Sequence, residues 1–451
     1  MTQQGLTHAL AEFVSRRLDP PDDAVRIAKS GFTDTLATMI AGRSEPVVMV
    51  VRKFVGERQS RIAEASILLG NELAASSDAA LINGTSAHAL DYDDVALGGH
   101  PSAVLVPAVL AEGESLGASG ADAIRAYLVG YEVWAELATR EPDPYHAKGW
   151  HPTAVLGTMG AAAAVSHLHK LPLEACRNAM ALAASMASGL VANFGTMAKP
   201  LHAGRAAACG IDAVRLTKLG LTASPDAIEH HAGFLAALSP RSRADRSGPT
   251  SEIGKRLRIL DAGLSIKRYP MCYAAHRSVD GILAMVAANN INADDVKEVR
   301  VTLGETQASM LRNHAPTNAL EAKFSIEFAG ASALVARNVG LRELTDEFVR
   351  SAPVQRAMTK VRTQTVDTHC PIEPVFSFAD RVVLELADGT TLDSGDIRFA
   401  RGNAKLPLTM NDLKAKFFEC AGNDDADTVR LYGLLADLES LPNVRSLRKR
   451  T

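Results

Sequence analysis

Over roughly the first 265 residues, apolar positions recur at the three-to-four-residue spacing of helices that bury one face. Gly or Pro punctuates the segments, and β-branched runs are few. The opening MTQQGLTHALAEFVSRRL follows this spacing and predicts an amphipathic helix; without a basic start leading into an apolar block, it is not expected to be a signal peptide. In the stretch Gly157-Thr158-Met159-Gly160-Ala161-Ala162-Ala163-Ala164 the side chains are so small that helix axes are expected to approach closely. Residues 178–198 are uncharged and long enough to span a bilayer, but Asn193, several serines and the Gly195-Thr196 break predict a helix buried in a large helical core instead. No fixed repeat period suggests a solenoid.

After Gly263 the pattern changes. Residues 296–303, VKEVRVTL, largely alternate apolar and polar positions and predict a half-buried strand; residues 381–386, Asp388-Gly389 and residues 390–392 predict a hairpin. Helices are expected between them at 278–288, 322–335 and 345–361, the last interrupted at Pro353. From about Leu408 helix signals return, with Thr409 as N-cap for 411–421 and a further helix over 427–441. The chain therefore reads as mainly α with an α+β part. A large all-helical domain is expected from residues 1–265 and 402–451, with a smaller α+β lid domain, 266–401, inserted between them and hinged near Gly263 and Arg401-Gly402.

Composition narrows the class. Apolar residues are 47% against 22% charged, as in folded globular proteins. Lys plus Arg (48) nearly balances Asp plus Glu (51), and a net charge of −3 gives no electrostatic case for nucleic acid or an anionic membrane. Cys176, Cys209, Cys272, Cys370 and Cys420 are odd in number, far apart and lack a CxxC pair. Neither a disulfide framework nor a zinc knuckle follows, and a reducing cytoplasm is expected.

The candidate chemistry concentrates in residues 83–102, NGTSAHALDYDDVALGGHPS, where two histidines and three carboxylates crowd an otherwise Ala- and Leu-rich chain. His88 and Asp91, three apart, would share a helix face; Gly98 and Gly99 break the chain, and His100 precedes Pro101, where a helix can start. The phrase His100-Pro101-Ser102-Ala103-Val104-Leu105 recurs as His151-Pro152-Thr153-Ala154-Val155-Leu156. Lys199-Pro200-Leu201-His202 shares the design, and Lys267-Arg268-Tyr269-Pro270 stands before another helix. Cations at helix N-termini oppose the helix dipole. A bound anion would resolve the conflict, so these helix starts with Lys199, Lys267, Arg268 and Arg205 predict a site for a ligand with two or three carboxylates. A single His-Pro is equally a plain helix boundary, and His202 reads equally as a core group. His167, His169, His230 and His231 read as structural or solvated. His88, Asp91, Asp93 and Asp94 have metal-ligand chemistry, but without HExxH, a second His/Asp cluster or a Cys pair, no metal or cofactor is expected.

The phrases AHALDYDD, GHPS, GWHPT, GTMAKPLHAGRAA, KRYPMCYAAHR, EAKFS and LPLTMNDLKAKF, in that order, resemble those of the MmgE/PrpD family over nearly the whole chain. Activities in that family include dehydration of 2-methylcitrate, decarboxylation of cis-aconitate and epimerisation of iminodisuccinate. The resemblance implies a helical main domain, an α+β lid, a homodimer and chemistry without metal or organic cofactor. Matching phrases place the family's polar pocket on Asp91, His100, His151 and Lys199, with Lys267 and Arg268 from the lid side. His88, His202, Arg205 and Cys272 are expected to line the substrate. In the family's decarboxylases a histidine stands where this chain has Cys272, which counts against decarboxylation. Tyr145, in PDPYHAKGWHPT, resembles a tyrosine of the epimerase. The expected activity is a hydro-lyase acting on a small di- or tricarboxylate. The alternatives are an epimerase with Lys199 or His151 facing Tyr145 across one carbon, a decarboxylase, and a non-catalytic carboxylate binder.

Overall fold

Helix starts are set by residues that suit an unpaired first turn. Pro46, Pro101 and Pro152 occupy it in three helices, and Asp22 and Asp23 place negative charge at the positive end of a fourth. In the computed structural model, which describes residues 5–422 and 424–449, the chain forms two compact units: residues 1–266 with 409–451, and residues 267–408.

The first unit is helical: α1 Leu6–Ser15, α2 Asp22–Gly42, α3 Pro46–Gly56, α4 Ser76–His88, α5 Pro101–Leu116, α6 Gly120–Arg140, α7 Pro152–Leu168, α8 Leu173–Met186 and α9 Ala198–Lys218. A two-residue antiparallel pair, β1 Ala65–Ser66 with β2 Leu73–Ala74, precedes α4. The short helices α10 Phe234–Ala237 and α11 Ile259–Ala262 follow α9.

Small residues bring these helices into backbone contact. A Cβ on Gly204 of α9 would lie 2.1 Å from the Leu81 carbonyl oxygen of α4, and one on Gly130 of α6 would lie 2.6 Å from the Gly160 oxygen of α7. A Cβ on Gly210 would stand 2.4 Å from that of Ala161, so α9 and α7 touch as well. The α7 helix is buried along almost its whole length, as its run of small and apolar residues requires.

The uncharged run at 178–198 is not one helix. It leaves helical geometry after Met186, passes Gly189 (φ 137°) and Gly195 (φ 79°), and makes one short turn at Val191–Asn193 before α9 begins. Backbone conformations that only glycine adopts readily overrule the apolar pattern here. No helix of the described residues is long and apolar enough to cross a membrane.

The second unit comprises α12 His276–Asn289, β3 Val296–Gly304, α13 Glu305–Met310, α14 Ala319–Ala322, α15 Ile326–Val335, α16 Asp346–Arg350, α17 Ala352–Met358, β4 Val361–Val366, β5 Arg381–Leu386 and β6 Thr391–Asp393. Its sheet runs β4-β3-β5-β6, with β3 and β4 parallel and the other pairs antiparallel. Val299, Val301, Leu303, Val382 and Leu384 pack with Val279, Ile282 and Val286 of α12 and with Ile326, Ala329 and Ala333 of α15. The β5–β6 hairpin turns at Gly389 (φ 88°).

Two expected helices of the second unit differ. The one at 322–335 is split, because the Ser325 hydroxyl accepts from the Phe328 N–H and starts α15 afresh. The one at 345–361 ends at Met358, and Val361 opens the edge strand β4. In the first unit α18 Met410–Ala421 begins at a capping box between Thr409 and Asp412, and α19 Ala426–Ala436 follows. The helix expected over 427–441 stops at Ala436, with one short turn at Leu438–Ser440.

Candidate active site

The close approach of α4 and α9 puts the end of one helix beside the start of the other. His88 is the last residue of α4, and Lys199 and His202 lie in the first turns of α9. After α4 the chain turns sharply, with Asp91 in the left-handed region (φ 52°), and a tight turn over Leu97 and Gly98 (φ 52° and 77°) returns it to His100. Gly99 is required there: a Cβ would meet the Trp134 ring at 2.7 Å and the Thr153 nitrogen at 3.0 Å. His100 and His151 are the N-caps of α5 and α7, each followed by proline. The His100 N–H donates to the Thr153 hydroxyl (3.2 Å) and the His151 N–H to the Gly189 carbonyl (3.0 Å).

These turns gather a cluster of imidazoles, with His88 and His151 buried and His100, His146 and His202 half-buried. The rings of His88 and His100 are 4.4 Å apart, His88 and His151 5.8 Å, His151 and His202 5.3 Å, and His146 and His151 6.5 Å. Phe194, from the loop before α9, stands edge-on to His151 at 4.8 Å and lies 5.3 Å from the Lys199 ammonium. Lys199 donates a hydrogen bond to Asp91 Oδ1. His88 Nδ1 meets Asp93 Oδ1 at 2.9 Å, while His100 Nδ1 lies 3.0 Å from Asp93 Oδ2 but poorly aligned for a hydrogen bond. His151 and His202 share a contact between their Nδ1 atoms (3.1 Å).

Burial is the largest influence on four of these imidazoles, His88, His146, His151 and His202. It lowers His88 from the ordinary 6.5 to about 4, against the raising effect of Asp93, and with help from Lys199 and His100. His146 is likewise lowered to about 4, first by burial and then by His100 and Lys199. Burial, followed by His88, Lys199, His100 and His202, holds His151 well below its ordinary range, and burial followed by Lys199 lowers His202. For Asp93 burial pushes upward, but the neighbouring imidazoles of His88, which is hydrogen-bonded to it, and His100 outweigh it and hold the carboxyl well below the usual range. With Asp93 ionised, His88 carries its proton on Nδ1. Its Nε2 is then an acceptor, buried and without a hydrogen-bond partner among the described residues.

Several expectations change. His88 and Asp91 do not share a helix face, because α4 ends at His88 and the carboxylate facing that imidazole is Asp93. The cation anomaly at α9 is met within the protein: Lys199 is the second residue of α9 rather than its cap, and Asp91 balances it. Tyr145 is buried with its hydroxyl donating to the Leu137 carbonyl at 3.4 Å, and burial raises it above its ordinary range. Arg205 lies on the exposed side of α9 and acts electrostatically on Asp212. Lys267, Arg268 and Cys272 belong to the second unit, where Lys267 and Cys272 are buried and the Cys272 N–H donates to the Lys323 carbonyl at 2.8 Å. The sequence reading missed His146 and Phe194. Each stands within a few residues of a motif, His146 before GWHPT and Phe194 before GTMAKP, and that adjacency is the signal that could have found them.

His88, Asp91, Asp93 and His100 each offer a ligand atom, and these atoms all lie within 4.8 Å of one another. The donor types suit a divalent ion. Lys199 competes for the same charge, since its ammonium already sits on Asp91.

A two-part chain, with a helical unit carrying buried neutral imidazoles beside a lysine–carboxylate pair, defines a class of proteins, and the chain belongs to it: it is a member of the MmgE/PrpD family. The family's N-terminal domain matches residues 8–247 and its C-terminal domain residues 269–428. Among curated relatives, cis-aconitate decarboxylase of Mus musculus is 30% identical over 75% of this chain and 70% of its own length. The Homo sapiens protein of the same name is 27% identical over 95% and 91%, and that of Aspergillus terreus 24% identical over 99% and 95%.

Proposed function

We propose that the chain is a lyase for small polycarboxylates that works by removing a proton from carbon next to a carboxylate, with dehydration of a hydroxy-polycarboxylate such as 2-methylcitrate as its reaction. The observation that carries this reading is the set of imidazoles held neutral, with His88 and His151 buried, beside the buried Lys199 ammonium. A base must be unprotonated near neutral pH, and the charge that develops on the substrate needs a cation already in place.

His151 is the base in this reading. With its Nδ1 proton shared with His202, Nε2 takes the proton from the substrate carbon. Electrons of that C–H bond form the new double bond, the C–O bond breaks, and the departing hydroxide leaves as water with a proton from the Lys199 ammonium. Asp91 holds that ammonium in place, and His100 and His88, held by Asp93, hydrogen-bond the substrate. No step needs a metal or organic cofactor. Full activity after exhaustive chelation is expected; activity lost to a chelator and restored by a divalent ion would instead assign the His88–Asp91–Asp93–His100 set to a metal.

A second reading, decarboxylation of cis-aconitate, is favoured by the names of the relatives. Cys272 in place of the decarboxylases' histidine weighs against it. The epimerase pairing loses support because the Tyr145 hydroxyl is engaged by a main-chain carbonyl. Incubation with 2-methylcitrate, citrate, cis-aconitate and iminodisuccinate in deuterated water, followed by NMR, separates the three. Loss or gain of water is expected. Release of carbon dioxide, or deuterium exchange with inversion, would replace the assignment, and silence with all four acids would refute it for these substrates. The family resemblance also carries the expectation of a homodimer, which sedimentation equilibrium tests.

A further inference from the structure

One buried charge pair in the helical unit stands outside the proposed chemistry. Lys416 of α18 is 1% exposed, and its ammonium lies 2.6 Å from Asp34 Oδ1 on α2, with both side chains wholly buried. A buried ion pair is weak evidence of stabilisation, because desolvating two charges costs about what their attraction returns. Its other contact is more informative. The same ammonium donates to the backbone carbonyl of Tyr92 at 2.7 Å and sits 3.8 Å from the centre of the Tyr92 ring.

Tyr92 is fully buried and separates the two carboxylates of the site. Asp91 before it holds Lys199, and Asp93 after it holds His88 and faces His100. Asp91 also adopts the left-handed conformation (φ 52°) that a non-glycine residue keeps only when its surroundings enforce it. The next residue, Asp94, takes the Ser102 N–H at 3.3 Å and the Ser102 hydroxyl, tying the loop to the first turn of α5. Thus the strained segment is clamped by Ser102 on one side and by Lys416, 324 residues further along the chain, on the other.

We propose that Lys416 is a positioning residue: by gripping the Tyr92 carbonyl it fixes the backbone from which Asp91 and Asp93 aim at Lys199 and at the two imidazoles. Asp34 faces the same ammonium from α2, and an asparagine carbonyl oxygen at that position can still accept from it. The inference rests on the proposed function only for its kinetic consequence. Its structural consequence is read without a substrate.

The test compares Asp34→Asn with the double variant Lys416→Met/Asp34→Asn, which avoids stranding a buried carboxylate. Circular dichroism and thermal unfolding confirm the fold of each. Wild type and Asp34→Asn are expected to show the same downfield proton resonance from His88 Nδ1–H against Asp93, and the double variant to lose it. On the acid that wild type turns over, the double variant is expected to lose about 10- to 100-fold in kcat with KM changed by less than about threefold, while Asp34→Asn stays near wild type. A folded double variant with the resonance and kcat intact would overturn the proposal, as would equal losses in both variants. Should none of the four acids react, the resonance still decides the role of Lys416. If the double variant does not fold, Lys416→Arg replaces it: loss of the resonance on moving the donor supports the proposal, and an unaltered resonance overturns it.

Discussion

The phrases at 100–105 and 151–156 are nearly the same six residues, and they build the same local structure: a histidine N-cap, a proline in the first turn and a buried Ala-rich helix. Their surroundings differ. His100 stands among carboxylates, 3.0 Å from Asp93 and 3.8 Å from Asp91. His151 is surrounded by His88, Lys199, His100 and His202, with the Phe194 ring against it, and is held far below its ordinary range. A short motif sets the backbone and where the imidazole begins. Whether that imidazole serves as an anchored donor or as a base is set by what the fold packs around it: nearby carboxylates for His100, and for His151 burial together with groups about 50 to 60 positions away in the chain.

The largest effect should come from the base side of this contrast. His151→Ala and Lys199→Ala are expected to fold yet lose about 10²- to 10⁴-fold in kcat. Near-normal turnover in both would remove the assignment. Asp93→Asn acts on the other side, freeing His88 and His100 from their shared carboxylate, with an expected loss of about 10- to 100-fold in kcat. A loss as large as that of His151→Ala would erase the distinction between the two phrases.

Stability should follow pH with a definite sign. The His88 and His146 imidazoles titrate near 4 in the folded chain against 6.5 for a free histidine. Between these values the unfolded chain binds more protons, so stability falls as pH drops from about 6.5 to 4, by on the order of a few kcal/mol. Thermal unfolding at pH 7 and pH 5 measures it; equal midpoints would mean that the cluster is not dry. The smallest effect is expected from Tyr145→Phe, which removes one hydrogen bond to a main-chain carbonyl: about 0.5–1.5 kcal/mol in chemical denaturation and less than about threefold in kcat. A collapse of activity would return Tyr145 to the chemistry.

Much of the fold was legible because its signals are local. Pro101 and Pro152 mark helix starts, Thr409 with Asp412 marks another, and Asp388-Gly389 marks the hairpin. What escaped depends on context. The edge strand β4, VRTQTV, is mostly exposed and lacks the alternation that reveals a half-buried strand. The loop at 187–197 reads as helix until two glycine conformations break it.

At the site, the crowded acids and the repeated His-Pro phrase were visible. The pairing of Asp93 with His88, the engaged hydroxyl of Tyr145 and the contribution of His146 were not. Each follows from a turn geometry or a distant packing partner that spacing does not encode. The lowered range of His151 follows chiefly from burial, which spacing does not encode either.

The most direct measurement is a pH titration of the histidine side chains by ¹⁵N NMR in labelled protein, with His151→Ala used to assign its ring. The His151 imidazole is expected to stay neutral as pH falls through the range where a free histidine becomes protonated. A His151 ring that titrates near 6.5, as in open solvent, would contradict a buried neutral base at this site.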